Sequence, residues 1–180
     1  MSNKSHTPEE IMKMNAYIDN MTQDSDRGAV LSFSAALEDR LKEIILLFLR
    51  DCKSASELLD GFNAPLGTFS AKILMAHALG LLTDKELREI QTLRKIRNRF
   101  AHSWEKIDFE TNDIKAMLYT LPVLGLSAEA KTNPKVYFNN WARVFIARLL
   151  WRNHYSEKEK RKEGDFDNLS KVIDNHPHLL

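Results

Sequence analysis

The chain has 180 residues, 26 lysines and arginines against 25 aspartates and glutamates, and a formal net charge of +1. That length supports one domain with a sizeable core, and so even a charge balance excludes a general nucleic-acid coat, leaving any such role to a local cluster. The lone cysteine, Cys52, excludes an intrachain disulfide and fits a reducing compartment, with small-residue packing as its expected role. Glycine and proline are few and helical patterns are long, which predicts an all-α chain.

In chain order, Thr7-Pro8-Glu9-Glu10 reads as a capping box with proline at the first helical position. It opens a Met-rich helix through Ile11, Met14, Tyr17, Ile18 and Met21, suited to the core or to a docking surface. Residues 24–28 break the pattern. A second helix, from about Ala29 to Cys52, carries Val30, Phe33, Leu37, Leu41, Ile44, Ile45 and Phe48 as a wide apolar stripe, with Glu38 on its flank. Residues 58–67 form a loop punctuated by Gly61, Pro65 and Gly67. Thr68 or Ser70 caps a third helix bearing Ile73, Leu74 and Ala76, and Gly80 stops it. His77 on that helix has no second ligand at metal spacing and reads as a packing histidine. Thr83-Asp84-Lys85-Glu86 is another capping box and opens a helix through Leu87, Ile90 and Leu93.

Beyond it, residues 103–111 are expected to be irregular, with Trp104, Ile107 and Phe109 folding back on the core. A short helix over 113–121 precedes Pro122, and 125–132 form a loop. Asn133-Pro134 starts the last long helix, whose face is defined by Val136, Tyr137, Trp141, Val144, Phe145, Arg148 and Trp151. The tail from Gly164 has little pattern, and His176 with His178 does not make a metal site. This organisation divides the chain into an N-terminal capped helix and linker (1–28), a helical bundle (29–163) and a tail (164–180). The longest apolar run, Ile44 to Leu49, is too short to span a bilayer, and the first residues carry no signal-peptide core. A cytoplasmic protein with no cofactor, no metal and no membrane is the expectation.

One stretch concentrates chemistry: residues 94–102, RKIRNRFAH, followed by Ser103 and Trp104. On a helix, Ile90, Leu93, Ile96 and Phe100 share one face, and Arg97 falls about 40° from Leu93 on the same side. An obligate cation on a face expected to be buried must be paired or used. Glu38 is the acid best placed to pair with it as a structural ion pair. Lys95 and Arg99 point away.

Two helices joined at 80–83 also invite a helix-turn-helix reading, with Ala76 and Gly80 as the small residues. The leading positions of the second helix are Asp84, Lys85, Glu86, Arg88 and Glu89, an acid-leaning set that phosphates repel. Sequence-specific DNA binding is therefore not expected.

Residues 65–73 (PLGTFSAKI), 78–82 (ALGLL) and 94–102 together resemble the mannitol operon repressor (MltR/MtlR-like) family of bacterial regulators, over roughly residues 29–121. The resemblance implies an all-helical bundle and negative control of transcription through a protein partner rather than direct DNA reading. Arg94, Arg97, Arg99 and Trp104 are then the candidate binding residues. Residues 97–102 also resemble the Arg-x4-His signature of HEPN domains, helical bundles that often dimerise. That resemblance implies an alternative, a metal-independent, toxin-like ribonuclease completed across a homodimer. There His102 exchanges protons at the 2′-hydroxyl or the leaving oxygen, Arg97 stabilises phosphate charge in the transition state, and Asn98 orients the pair. Arg97 and His102 are five residues apart, about 140° round a continuous helix. They converge only if the helix ends early or a second copy completes the site. The expected fold is a single all-α, HEPN-like bundle of five to seven helices, cored by the helix at 29–52, the helix that opens at the Thr83 capping box and the last long helix from Asn133-Pro134.

Overall fold

The computed structural model describes residues 8–164. Among them it is all-helical, with α1 (Pro8–Gln23), α2 (Asp26–Phe48), α3 (Lys53–Leu59), α4 (Phe69–Ala78), α5 (Asp84–His102), α6 (Asn112–Leu118) and α7 (Pro134–Lys158), plus a 3-10 turn at Ala130–Thr132. The capping box at Thr7 and the histidines His176 and His178 lie outside the described residues.

Helix starts follow side-chain chemistry. Ser25 accepts a hydrogen bond from the Gly28 amide at 3.1 Å, so α2 begins at Asp26 and Gly28 lies inside it. Thr68 accepts from Ala71 N at 3.2 Å and starts α4. The box at Thr83 forms fully: Glu86 N donates to Thr83 Oγ1 at 3.2 Å, and Thr83 N to Glu86 Oε2 at 2.8 Å. Asn133 Oδ1 accepts from the amides of Lys135 and Val136 at 3.0 and 3.1 Å, with Pro134 fitting the first turn of α7. Gly80, at φ +73°, makes the reversal between α4 and α5 in a conformation that side chains rarely adopt.

Two helix ends and one buried face differ from expectation. α2 ends at Phe48, and residues 53–59 fold as α3, burying Ala55 and Leu59. α6 ends at Leu118, where the chain tightens through the Leu121 N to Leu118 O bond at 3.0 Å. On α7 the buried stripe is Tyr137, Phe138, Trp141, Ala142, Phe145, Ile146, Leu149 and Leu150, whereas Val136 and Trp151 are exposed. α2, α1 and α6 all pack on α7, so its buried arc is wider than, and rotated from, the face expected.

α2 lies at the centre, packed by α7, α5 and α4, with α1 against both α2 and α7. Its Phe33 meets Phe138 and Trp141 edge-on, at 5.9 and 5.5 Å between ring centres. Phe100 of α5 meets Phe109 at 5.8 Å, so the irregular segment after α5 is tied into the same aromatic core. Each such fully buried ring contributes roughly 1.5–3 kcal/mol from apolar burial. Among the described residues no helix is long and apolar enough to cross a membrane.

Candidate functional site

Arg97 is exposed, and its guanidinium donates to Asn98 Oδ1 at 3.1 Å. This corrects the expected ion pair with Glu38. α4, of 10 residues, packs mainly on α2, and α5, of 19, follows it after the turn at Gly80. Ile90 and Leu93 are covered, while Arg97 and Ala101, further along the same strip, are open. Glu38 instead takes Lys72 of α4, whose ammonium lies 2.6 Å from Glu38 Oε1 and 3.1 Å from Gly67 O. Lys72 is buried because it lies four residues before Ala76 on the face that packs against α2.

α5 continues through His102 without a break, so an early helix end does not bring Arg97 and His102 together. Both are exposed and about 140° apart round the axis. Asn98 and Ala101 are exposed beside them, and Arg94 is half-buried. Arg99 is drawn off to α6, its Nε 2.8 Å from Asp113 Oδ2. That hydrogen bond raises the guanidinium's pKa and holds the Asp113 carboxyl below the usual aspartate range.

Trp104 does not fold back on the core. It is 102% exposed, whereas Phe109 is buried and Ile107 packs at the core's edge. The backbone beneath the indole is nonetheless held. Arg27 of α2 donates to Ser103 O at 3.0 Å and Glu105 O at 3.5 Å, and Phe109 N donates to Asp26 Oδ2 at 2.9 Å. An exposed tryptophan on an anchored turn, next to an arginine, has the residue composition of an interaction hot spot.

The first half of α5 holds what the sequence reading missed. Glu86 and Glu89, expected at exposed positions, are buried. Glu89 accepts from Trp141 Nε1 at 2.7 Å and faces Arg148 at 3.1 Å, and Glu86 faces Arg152 at 3.0 Å. The signal was present: Glu89 lies about 40° from Leu93 on the helix wheel, and Arg148 and Arg152 lie one turn apart on α7. Side chains of α7 thus engage Glu86 and Glu89 in the leading turns of α5, while Asp84, Lys85 and Arg88 of those turns are exposed. His77, half-buried, lies 2.9 Å from Asp84 Oδ1. Among the described residues no group of three or more His, Cys, Asp or Glu side chains could hold a metal ion.

No protein-family model matches the sequence, and no curated protein matches it. Among solved structures, this chain is similar to a chain in the X-ray structure of the MtlR–HPr complex from Escherichia coli. The TM-score is 0.50 at 16% sequence identity, over 79% of this chain and 98% of that one. The likeness is one of fold. The all-helical architecture expected from the sequence is met by the described residues themselves.

Proposed function

We propose that this chain is a bacterial transcriptional regulator of the mannitol repressor type that acts through a protein partner and does not read DNA itself. The observation that carries the reading is Trp104, fully exposed on a backbone pinned by Arg27, just past the end of α5. Arg94, Arg97 and Trp104 are the docking residues, while Arg99 serves mainly to tie α6 to α5. Two further points support it. The fold is similar to a chain crystallised with HPr, and two carboxylates of α5, Glu86 and Glu89, are engaged with α7 rather than displayed for a groove of DNA. An HPr-type protein is therefore the first partner to test. Calorimetry of the two purified proteins should show saturable binding. Trp104→Ala should weaken it by about 2 kcal/mol, roughly 30-fold, as expected of a central aromatic anchor. Binding that Trp104→Ala leaves intact removes this surface from the proposal, and no binding at all removes HPr as the partner.

A second reading has its own observation. Arg97, Asn98 and His102 are all exposed on the last turns of α5, and one copy does not bring Arg97 and His102 together. A homodimer pairing these ends would complete a metal-independent ribonuclease site. Its test is cleavage of a mixed RNA pool in EDTA, with His102→Ala run alongside and both proteins sized on a column. Cleavage by a wild-type dimer alone supports this reading, and no cleavage by folded protein rejects it.

A further inference from the structure

Between the first half of α5 and the turn that follows α6 lies a cleft of about 400 Å³, within the size range of small-molecule sites. One wall is a single face of α5, where Lys85, Arg88 and Thr92 follow each other at helical spacing. The other wall is the turn at Thr120 and Pro122. That turn is rigid: the Tyr137 hydroxyl donates to Leu121 O at 2.6 Å, and the Thr120 hydroxyl to Met117 O at 2.7 Å.

The charges around the cleft are unequal. Asp84 is engaged with His77, Glu86 with Arg152, and Glu89, at the back of the cleft, with Arg148 and Trp141. The opposing turn, residues 119–123, carries no carboxylate. Lys85 and Arg88 are both exposed, so the neighbouring acids leave them to face the cleft as cations.

We infer that this cleft binds a small phosphomonoester. An ammonium and a guanidinium one turn apart match a compact dianion, with the arginine fork taking two oxygens. The Thr92 hydroxyl supplies a further donor on the same face. The uncharged body of the ligand then lies against Pro122. An extended polyanion is a poorer fit, because Asp84 on the same first turn of α5 is 80% exposed in its side chain. The inference stands apart from the regulatory proposal, since its test reads ligand binding and no partner.

The test is an NMR titration of the full chain with glycerol 3-phosphate, with inorganic phosphate and glycerol as companion probes. Glycerol 3-phosphate should bind saturably, inorganic phosphate more weakly, and glycerol not at all. Shifts should centre on the amides of residues 85–92, 120 and 121. Lys85→Ala and Arg88→Ala should each weaken binding about tenfold, the worth of a charge-assisted hydrogen bond. Lys95→Ala, also an exposed cation of α5, should not change it. Absence of saturable binding, shifts centred elsewhere, or unchanged affinity in the folded Lys85→Ala/Arg88→Ala double variant each overturns the inference. So does binding of a phosphoserine peptide without binding of glycerol 3-phosphate.

Discussion

Glu89 on α5 accepts a hydrogen bond from the indole N–H of Trp141 on α7 at 2.7 Å, with Trp141 fully buried and Glu89 7% exposed. Arg148, one-third exposed, closes the same carboxylate from its outer side at 3.1 Å. The carboxylate thus satisfies a buried donor and a cation at once and holds two core helices in register. Glu89→Ala should cost about 3 kcal/mol, because it leaves the indole without an acceptor and Arg148 without its partner. Glu89→Gln keeps an acceptor and should cost about 1–2 kcal/mol. Urea unfolding with an unchanged slope measures both, and an alanine variant as stable as the wild type would falsify the assignment.

Lys72, not Arg97, is the cation that Glu38 stabilises. The Lys72 side chain is 8% exposed. Glu38→Ala should therefore strand a nearly buried ammonium and cost about 3 kcal/mol. Arg97→Ala, at an exposed position, should change stability by less than about 0.5 kcal/mol. Thermal or urea denaturation of the two variants side by side decides the matter, and a loss in Arg97→Ala as large as that in Glu38→Ala would restore the Glu38–Arg97 pairing.

The Arg99–Asp113 contact predicts a pH dependence. The hydrogen bond from Arg99 depresses the Asp113 pKa in the fold. A depressed carboxylate contributes stability above its unfolded pKa, and loses that contribution as pH falls through its folded pKa. The joint between α5 and α6 should hence be intact at neutral pH and loosen only in acid, below the usual aspartate range. Carbon-detected NMR of the Asp113 carboxyl should show a midpoint below that of a free aspartate. In Arg99→Gln the midpoint should return toward the ordinary value. An ordinary midpoint in the wild type would mean that the contact does not persist in solution.

Trp104 is predicted to matter for binding and not for folding. Its side chain is fully exposed, so Trp104→Ala should leave the melting temperature unchanged within the effect of about 0.5 kcal/mol typical of surface substitutions. Arg27→Ala should behave differently. It removes the donor to Ser103 O and Glu105 O, and should cost about 1 kcal/mol while increasing amide exchange over residues 103–109. A large loss of stability in Trp104→Ala would show that the indole packs on the chain after all.

Much of the fold was legible locally. The Thr83–Glu86 capping box, the Asn133-Pro134 start and the Gly80 stop each depend on residues within one turn of one another, so the sequence states them outright, and it narrows the cap of α4 to Thr68 or Ser70. The apolar stripe of α2 and the irregular run after α5 were equally readable, because burial periodicity is set by helix geometry. The sequence by itself thus determined an all-helical chain with α2, α5 and α7 as its core, and it singled out the end of α5 as chemically unusual. It did not determine what covers that end. Periodicity gives a residue's direction round its helix, but not whether a neighbouring helix extends far enough to meet it. Arg97 shares the apolar side of its helix wheel, and it is exposed because no neighbouring element among the described residues covers it. Glu86 and Glu89 look like surface acids, and they are buried because α7 brings Arg148, Arg152 and the Trp141 indole against them. Glu38 found Lys72, and Trp104 found solvent, for the same reason. Partner choice is a property of which helices touch and how far they run, and only the tertiary structure decided it.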